Sequence, residues 1–408
     1  MTLHKTDWTG VAFGTLLGTL AAYQQFKLPP VLPLMLDQYH YDRVVAGGFM
    51  SIYAVIGFFF SIWAGRALAR RGVPPVLLFG FGLMLAGNGL GLVMPQSGGA
   101  MLAARGLEGA AFAILALVGP IHATASASER HLPLAVALAA AWIPNGQILA
   151  GLLAHISLQT EQWRPLWWGG ITFTAGLLIW TLGLARNRRL GERPVIQAAS
   201  AENPQRLSRR QLIAMILASL TFTAWGMQYF AFMTWLPEYL VEVQGFTPDD
   251  AVLGYLVPVV TLLVFVFMTG FIMRAGVSIM TLLIVTLALQ VAVWLVLPHV
   301  ESPILGGALL VLWGSGAGIT PTCLFAMPTR IADQPALRPH AFGILMTGRN
   351  LGVLGGPLVL ATALDWVGGW DVAAPVCAAM TAAALVFSIP LAFQLRALGV
   401  PAGYGTKR

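Results

Sequence analysis

The chain has 408 residues, 57% of them hydrophobic and only 10% charged, with a mean hydropathy of +0.77. A soluble protein carries roughly a quarter charged residues, so a water-soluble globular fold is excluded. The formal net charge of +7 does not point to nucleic acid, because no basic face interleaved with aromatics accompanies it.

A bilayer-spanning helix takes ~20 mostly apolar residues, since lipid offers no partner to backbone N–H and C=O groups. Runs of that kind recur at 11–36, 44–64, 75–95, 98–122, 133–155, 165–185, 211–236, 251–273, 277–297, 303–325, 341–364 and 372–395. They predict an all-α membrane protein with twelve transmembrane helices. Their unbroken apolarity, without alternation, argues against an outer-membrane barrel.

The first run is too long for the apolar core of a signal peptide and lacks a small-residue cleavage site after it, so it is expected to stay as a helix. It contains LAAYQQFKLPPVLPLML (Leu20 to Leu36). Pro29, Pro30 and Pro33 cannot donate to the carbonyls of Gln25, Phe26 and Pro29, which predicts a kink and exposed acceptors in its second half. Lys27 stands ~24 Å along a regular helix from Val11. Either it snorkels to headgroups or it faces the bundle interior beside Gln24. The second run ends in GRALARRG (Gly65 to Gly72), with Arg70 within it. The fourth carries RGLEG, whose Arg105 and Glu108 share a face at i, i+3 and can neutralise each other, as a packing device or as more. The fifth carries WIPNGQILAG, where Asn145 and Gln147, beside Pro144 in the helix, must find polar partners, a solute or a neighbouring helix. Trp142 there and Trp225 in the seventh run either line a site or pack a core.

Residues 186–210 hold seven arginines with prolines and polar residues and read as a linker. The seventh run contains MQYFAFMTWLPEYL (Met227 to Leu240), with Gln228, Tyr229 and a matching break expected at Pro237. The eleventh contains GRNLGVLGGP (Gly348 to Pro357). Arg349, ~12 Å into that run, costs at least ~2.5 kcal/mol to insert, and is either a hub for neighbouring carbonyls or a functional cation. Setting the Arg105/Glu108 pair aside leaves Lys27 and Arg349 as uncompensated charges expected to attract an anion, with Asn350 beside the latter. Trp163, Trp167, Trp168, Trp366 and Trp370 are expected to form an interfacial belt.

With both termini placed in the cytoplasm, 18 of the 23 Lys and Arg fall on the cytoplasmic side and ten of the 16 carboxylates opposite, as the positive-inside rule requires. The chain also repeats itself. Adding 204 carries Gln24 to Gln228 and Pro33 to Pro237; adding 205 carries Gly65 to Gly270, Asn145 to Asn350 and Gly151 to Gly356. Such duplication is the usual sign of a transporter. It predicts two six-helix pseudo-repeats, 1–185 and 211–408, joined by 186–210. Cys323 and Cys377 lie within apolar runs and the histidines at or beyond helix ends, so neither a disulfide framework nor a metal site is indicated. No hydrolytic triad, P-loop or paired carboxylates appear; no enzyme activity and no cofactor are expected.

In this order, inside a duplicated twelve-helix chain, GRALARRG, RGLEG, WIPNGQILAG and GRNLGVLGGP resemble the major facilitator superfamily. GRALARRG looks like the family's loop motif between the second and third helices, with Gly65, Arg70 and Gly72 in place as gating residues, and departs from it at Ala69, where the family has an aspartate. MQYFAFMTWLPEYL looks like the seventh helix of the branch of cyanate and nitroimidazole transporters, though W-L-P also occurs in organic-anion members. The resemblance implies alternating access around a midplane site built from both halves, and a part in proton coupling for Arg105 and Glu108. The expected function is secondary transport, by symport or antiport, of a small anionic solute driven by a proton or anion gradient. The expected solute-binding residues are Lys27, Arg349, Gln24, Asn350, Trp142, Asn145, Gln147, Gln228 and Tyr229. Partners would be the lipid bilayer of the inner membrane, the solute and protons, with no nucleic acid, and the chain would work as a monomer. Alternatives are an exporter of amphipathic drugs or metabolites, and a sensor or anion channel on the same scaffold.

Overall fold

The computed structural model describes residues 5–400 except 129, 130, 132, 133, 136, 137, 140, 187–206, 301, 333, 335 and 336, and the described residues are helical, with no strand among them. The predicted linker therefore lies largely outside the described residues. The first span is α1 (Trp8–Phe26), capped by the Asp7 carboxylate on the Thr9 N–H at 3.1 Å. It breaks at a 3-10 turn, Pro29–Val31, and resumes as α2 (Leu32–Tyr39). The expected kink is thus a full interruption, because three prolines in five residues delete consecutive donors.

The remaining spans follow as α3 (Arg43–Arg71), α4 (Val73–Val93), α5 (Gly98–Ala125), α6 (Trp142–Leu158), α7 (Arg164–Arg186), α8 (Arg209–Glu242), α9 (Pro248–Arg274), α10 (Ile279–Val296), α11 (Pro303–Ile331), α12 (Arg338–Val367) and α13 (Ala373–Ala397). With α1 and α2 counted as one span, these match the twelve predicted runs. Nine of the described helices are long and apolar enough to cross a bilayer unbroken. The break expected at Pro237 does not form: α8 runs through it. A single proline removes one hydrogen bond, which a helix absorbs as a bend.

The chain packs as two units, residues 1–197 with 240–253 and residues 198–239 with 254–408. In the first, α1, α4 and α5 close on a dry core that includes Phe13, Leu17, Leu77, Phe81, Ile114 and Leu115. Its surface carries an ion pair between Arg43 and Glu242 at 2.8 Å. Close helix approach inside each unit depends on glycine, as expected where lipid removes most hydrophobic drive and packing must supply it. A methyl group on Gly109 would lie 2.7 Å from the Tyr53 carbonyl oxygen, and one on Gly314 would lie 2.8 Å from that of Pro258. Tyr53 to Pro258 and Gly109 to Gly314 are the same sequence offset, so the duplication seen in the sequence recurs as a duplicated contact. In the second unit α12 lays Gly348, Gly352 and Gly356, one per turn, against α8, where added methyls would meet Ser219 O, Thr223 O and Met227 O at 2.1, 2.8 and 2.2 Å.

Candidate functional site

The interior of the first unit holds a cluster of charges with no solvent exposure. Lys27 follows the last turn of α1, and Arg105 and Glu108 stand one turn apart on α5. The Lys27 ammonium donates at 2.7 Å to Glu108 Oε1, to Gln24 Oε1 and to Asn88 Oδ1 of α4, which uses all three of its protons. Its Nζ also sits 4.4 Å from the centre of the Trp167 ring of α7. Arg105 donates to Glu108 Oε2 at 2.6 Å and to three main-chain carbonyls, Phe49 at 3.2 Å, Gln24 at 2.7 Å and Gln25 at 2.9 Å. Its last hydrogen-bond contact is Met50 Sδ at 3.7 Å, so all five guanidinium protons are directed, and the guanidinium lies 4.4 Å from the centre of the Tyr53 ring. The Gln25 carbonyl is one that Pro29 cannot serve, and the guanidinium takes the place of the missing N–H. Outer partners tie the cluster down: Gln24 Nε2 to Thr174 Oγ1 at 3.5 Å and Asn88 Nδ2 to Met84 O at 2.8 Å.

Two expectations are corrected here. Lys27 is neither snorkelled nor uncompensated: it is 0% exposed and ion-paired to Glu108 at 2.7 Å. Glu108 is not Arg105's alone but bridges both cations, so the cluster carries one net positive charge out of water. Dense hydrogen bonding is what makes such burial tolerable. Trp163 and Trp167 also leave the predicted belt, being 2% and 0% exposed, whereas Trp168 and Trp366 are 57% and 89% exposed. Trp163 is held inside by its indole N–H, which Gln38 Oε1 and Tyr39 Oη accept.

The corresponding depth of the second unit is aromatic. Glu108 plus 205 is Trp313, which stacks on Tyr229 at 5.7 Å and 8° and meets Phe232 edge-on at 4.6 Å. Tyr229 also stacks on Trp225 at 5.2 Å. Two amides bind these rings: Trp313 Nε1 donates to Gln228 Oε1 at 3.1 Å, and Trp225 Nε1 to Gln290 Oε1 at 3.0 Å. Gln228 Nε2 is buried without a partner. Arg349, on α12 between close-packed glycines, is 4% exposed. Its guanidinium lies 5.5 Å from the Phe230 ring and donates once, to the adjacent Asn350 Oδ1 at 3.2 Å. Arg349 Nη2 is buried with no acceptor, and the residue forms no ion pair among the described residues.

The structure therefore gathers Lys27, Gln24, Arg105 and Glu108 in one unit and Gln228, Tyr229, Arg349 and Asn350 in the other. Trp142 is half-buried against Phe112, ring centres 5.6 Å apart. Asn145 is half-buried and Gln147 buried on the same helix, α6. Of the gating residues, Arg70 is exposed in the last turn of α3, a methyl on Gly65 would meet nothing within 4 Å, and Gly72 has φ 78°, a conformation that favours glycine. The Ala69 side chain lies outside what is described. Asn88, Trp167, Gln290 and Trp313 were not anticipated. The two amides had a readable signal, each being a lone uncharged polar side chain of its size in an otherwise apolar run; the two indoles had none.

A sequence model of the Major Facilitator Superfamily matches residues 14–357. No curated protein matches the chain. Among solved structures, the chain is similar to a bacterial homologue of the human lysosomal transporter Spinster in an inward-facing and occupied conformation, with a TM-score of 0.68 at 13% identity, over 98% of this chain and 99% of that one. It is similar to a mutant of the nucleoside transporter NupG, also with a TM-score of 0.68, at 15% identity over 95% and 99%. At such identities the likeness bears on the fold alone.

Proposed function

Because the chain belongs to the major facilitator superfamily, whose members carry solutes across membranes, we propose that it is a secondary carrier of a small anionic solute, working by alternating access. The observation that carries the anion reading is Arg349: a buried guanidinium with one neutral partner, an orphaned Nη2 and no carboxylate bonded to it. A buried cation is costly until an anion pairs with it, and a guanidinium fork suits a carboxylate or similar oxyanion. Gln228, with its own orphaned amide N–H, and Asn350 supply neutral polar groups of the same unit. Lys27 has no proton to spare for a solute, so its part is internal to the cluster with Arg105 and Glu108. That cluster, sealed in a span and carrying one excess positive charge, is the proposed coupling element for a proton or exchanged-anion gradient. The excess of cations on one side supports an inner-membrane protein with both termini cytoplasmic.

Purified protein screened by thermal shift against mono- and dicarboxylates, nitrate and phosphate tests the reading. At least one anion is expected to stabilise the wild type, because ligand bound to the native state stabilises it by mass action. Arg349→Gln is expected to abolish that shift and Arg349→Lys to restore little of it. An unchanged anion response in folded Arg349→Gln would overturn the anion site.

A further inference from the structure

A cavity of about 290 Å³ opens where the start of α10 meets the ends of α11 and α13, all within the second unit. Its chemistry is graded along the helices. Arg330 and Arg396 line it in the last turns of α11 and α13, with Ser278, the N-cap of α10, at the same level. One turn further into α11 and α13 the wall is Met327 and Ala392, and on α10 it passes from Thr281, one turn in, to Ile284. Beyond them Val285, also on the wall, is 59% exposed on the outside of the bundle. No carboxylate lines the cavity. Two arginines at a helix-end plane therefore face an opening that continues into an apolar, lipid-facing surface.

We propose that this cavity is a binding site for an anionic phospholipid, distinct from the proposed transport site. A volume near the low end for small-molecule sites takes a headgroup and not acyl chains. The phosphate diester would lie between Arg330 and Arg396, where guanidinium geometry matches two phosphate oxygens, and one chain would follow Ile284 and Val285. A zwitterionic lipid would bring its own cation against the two arginines, so the site selects net negative charge. Basic pockets between transmembrane helices at the membrane edge bind lipid headgroups by this logic. The inference needs only that these helices span a bilayer, and it stands or falls separately from the Arg349 reading.

The test uses the full chain, delipidated in detergent and titrated with phosphatidylglycerol, phosphatidylcholine or inorganic phosphate, with bound lipid read by native mass spectrometry and stability by thermal shift. Phosphatidylglycerol is expected to be retained in preference to phosphatidylcholine. Arg396→Gln, a change at an exposed side chain that leaves the core intact, should weaken that retention ~5-fold, and the Arg330→Gln/Arg396→Gln pair ~30-fold, at about one surface-cation contribution each. Arg396→Lys should hold only part of it, since an ammonium keeps the charge but not the fork. Equal retention of the two lipids, or an undiminished preference in Arg396→Gln, overturns the site. So does inorganic phosphate that displaces the lipid completely at equal concentration, since the apolar wall would then contribute nothing.

Discussion

Replacing Glu108 by Gln removes the one carboxylate that Lys27 and Arg105 share among the described residues. The two contacts, 2.7 and 2.6 Å, join groups with no exposure. Removing one partner of a buried pair costs ~3–5 kcal/mol because an uncompensated charge remains. Here two charges remain, so the loss should reach the upper end of that range, and their repulsion adds to it. The same reasoning predicts a rescue. Lys27→Met introduced into Glu108→Gln returns the cluster to one net positive charge, as in the wild type, and should regain part of the loss despite deleting three hydrogen bonds. The coupling between the two positions should then be ~1–3 kcal/mol in the compensating direction. Chemical denaturation in detergent of wild type, both single variants and the double variant completes the cycle. Wild-type stability in Glu108→Gln, or a double variant whose losses simply add, would refute the shared-carboxylate account. Transport by Glu108→Gln has meaning only on equal amounts of folded protein, since a drop in uptake would otherwise report lost fold and not lost coupling.

Gly348→Ala should destabilise the protein by ~1–3 kcal/mol by forcing α12 away from the Ser219 carbonyl, whereas Gly270→Ala, with nothing within 4 Å, should be neutral or mildly stabilising; thermal melts of the two separate packing from propensity. Trp313→Phe keeps the stack but removes the donor to Gln228, and because Gln228 Nε2 is already unpartnered a loss of ~1–3 kcal/mol is expected by denaturant titration. Gly72→Ala at φ 78° and ψ 177°, a region open essentially to glycine alone, should cost ~1–3 kcal/mol in the same assay.

The number and placement of the helices were legible because a span must be both long and apolar, and no competing pattern survives in lipid. The interruption in the first span was legible for the same kind of reason, since Pro29, Pro30 and Pro33 each remove a donor at a known position. What the chain of letters could not show was how side chains on different helices meet. Reading Arg105 and Glu108 as a closed pair was sound as local spacing and failed because Lys27, on another helix, reaches the same carboxylate. The five tryptophans near helix ends looked alike, yet on α7 Trp167 turns inward while its neighbour Trp168 faces out, a difference set by helix rotation, which apolar runs with little amphipathic contrast do not encode. The burial of Arg349 was legible because its place well inside an apolar run left it little else. The ring stack facing Gln228 was invisible, since aromatic residues in a membrane span carry no label for packing against one another.

Arg105 holds the interruption in the first span through the carbonyls of Gln24 and Gln25, atoms that every residue possesses. Position 25, buried as it is, can therefore exchange its side chain for an uncharged one of similar size without loosening that clasp, since its own Oε1 is already unbonded. Such exchanges would score as tolerated and miss its role, which belongs to the peptide group. The identities that hold the clasp are elsewhere: the arginine that reaches in, and the imino acid at position 29 that leaves an oxygen waiting for it. An ester in place of the peptide bond between residues 25 and 26, which weakens the residue 25 carbonyl as an acceptor while sparing the side chain, would expose what twenty amino acids cannot.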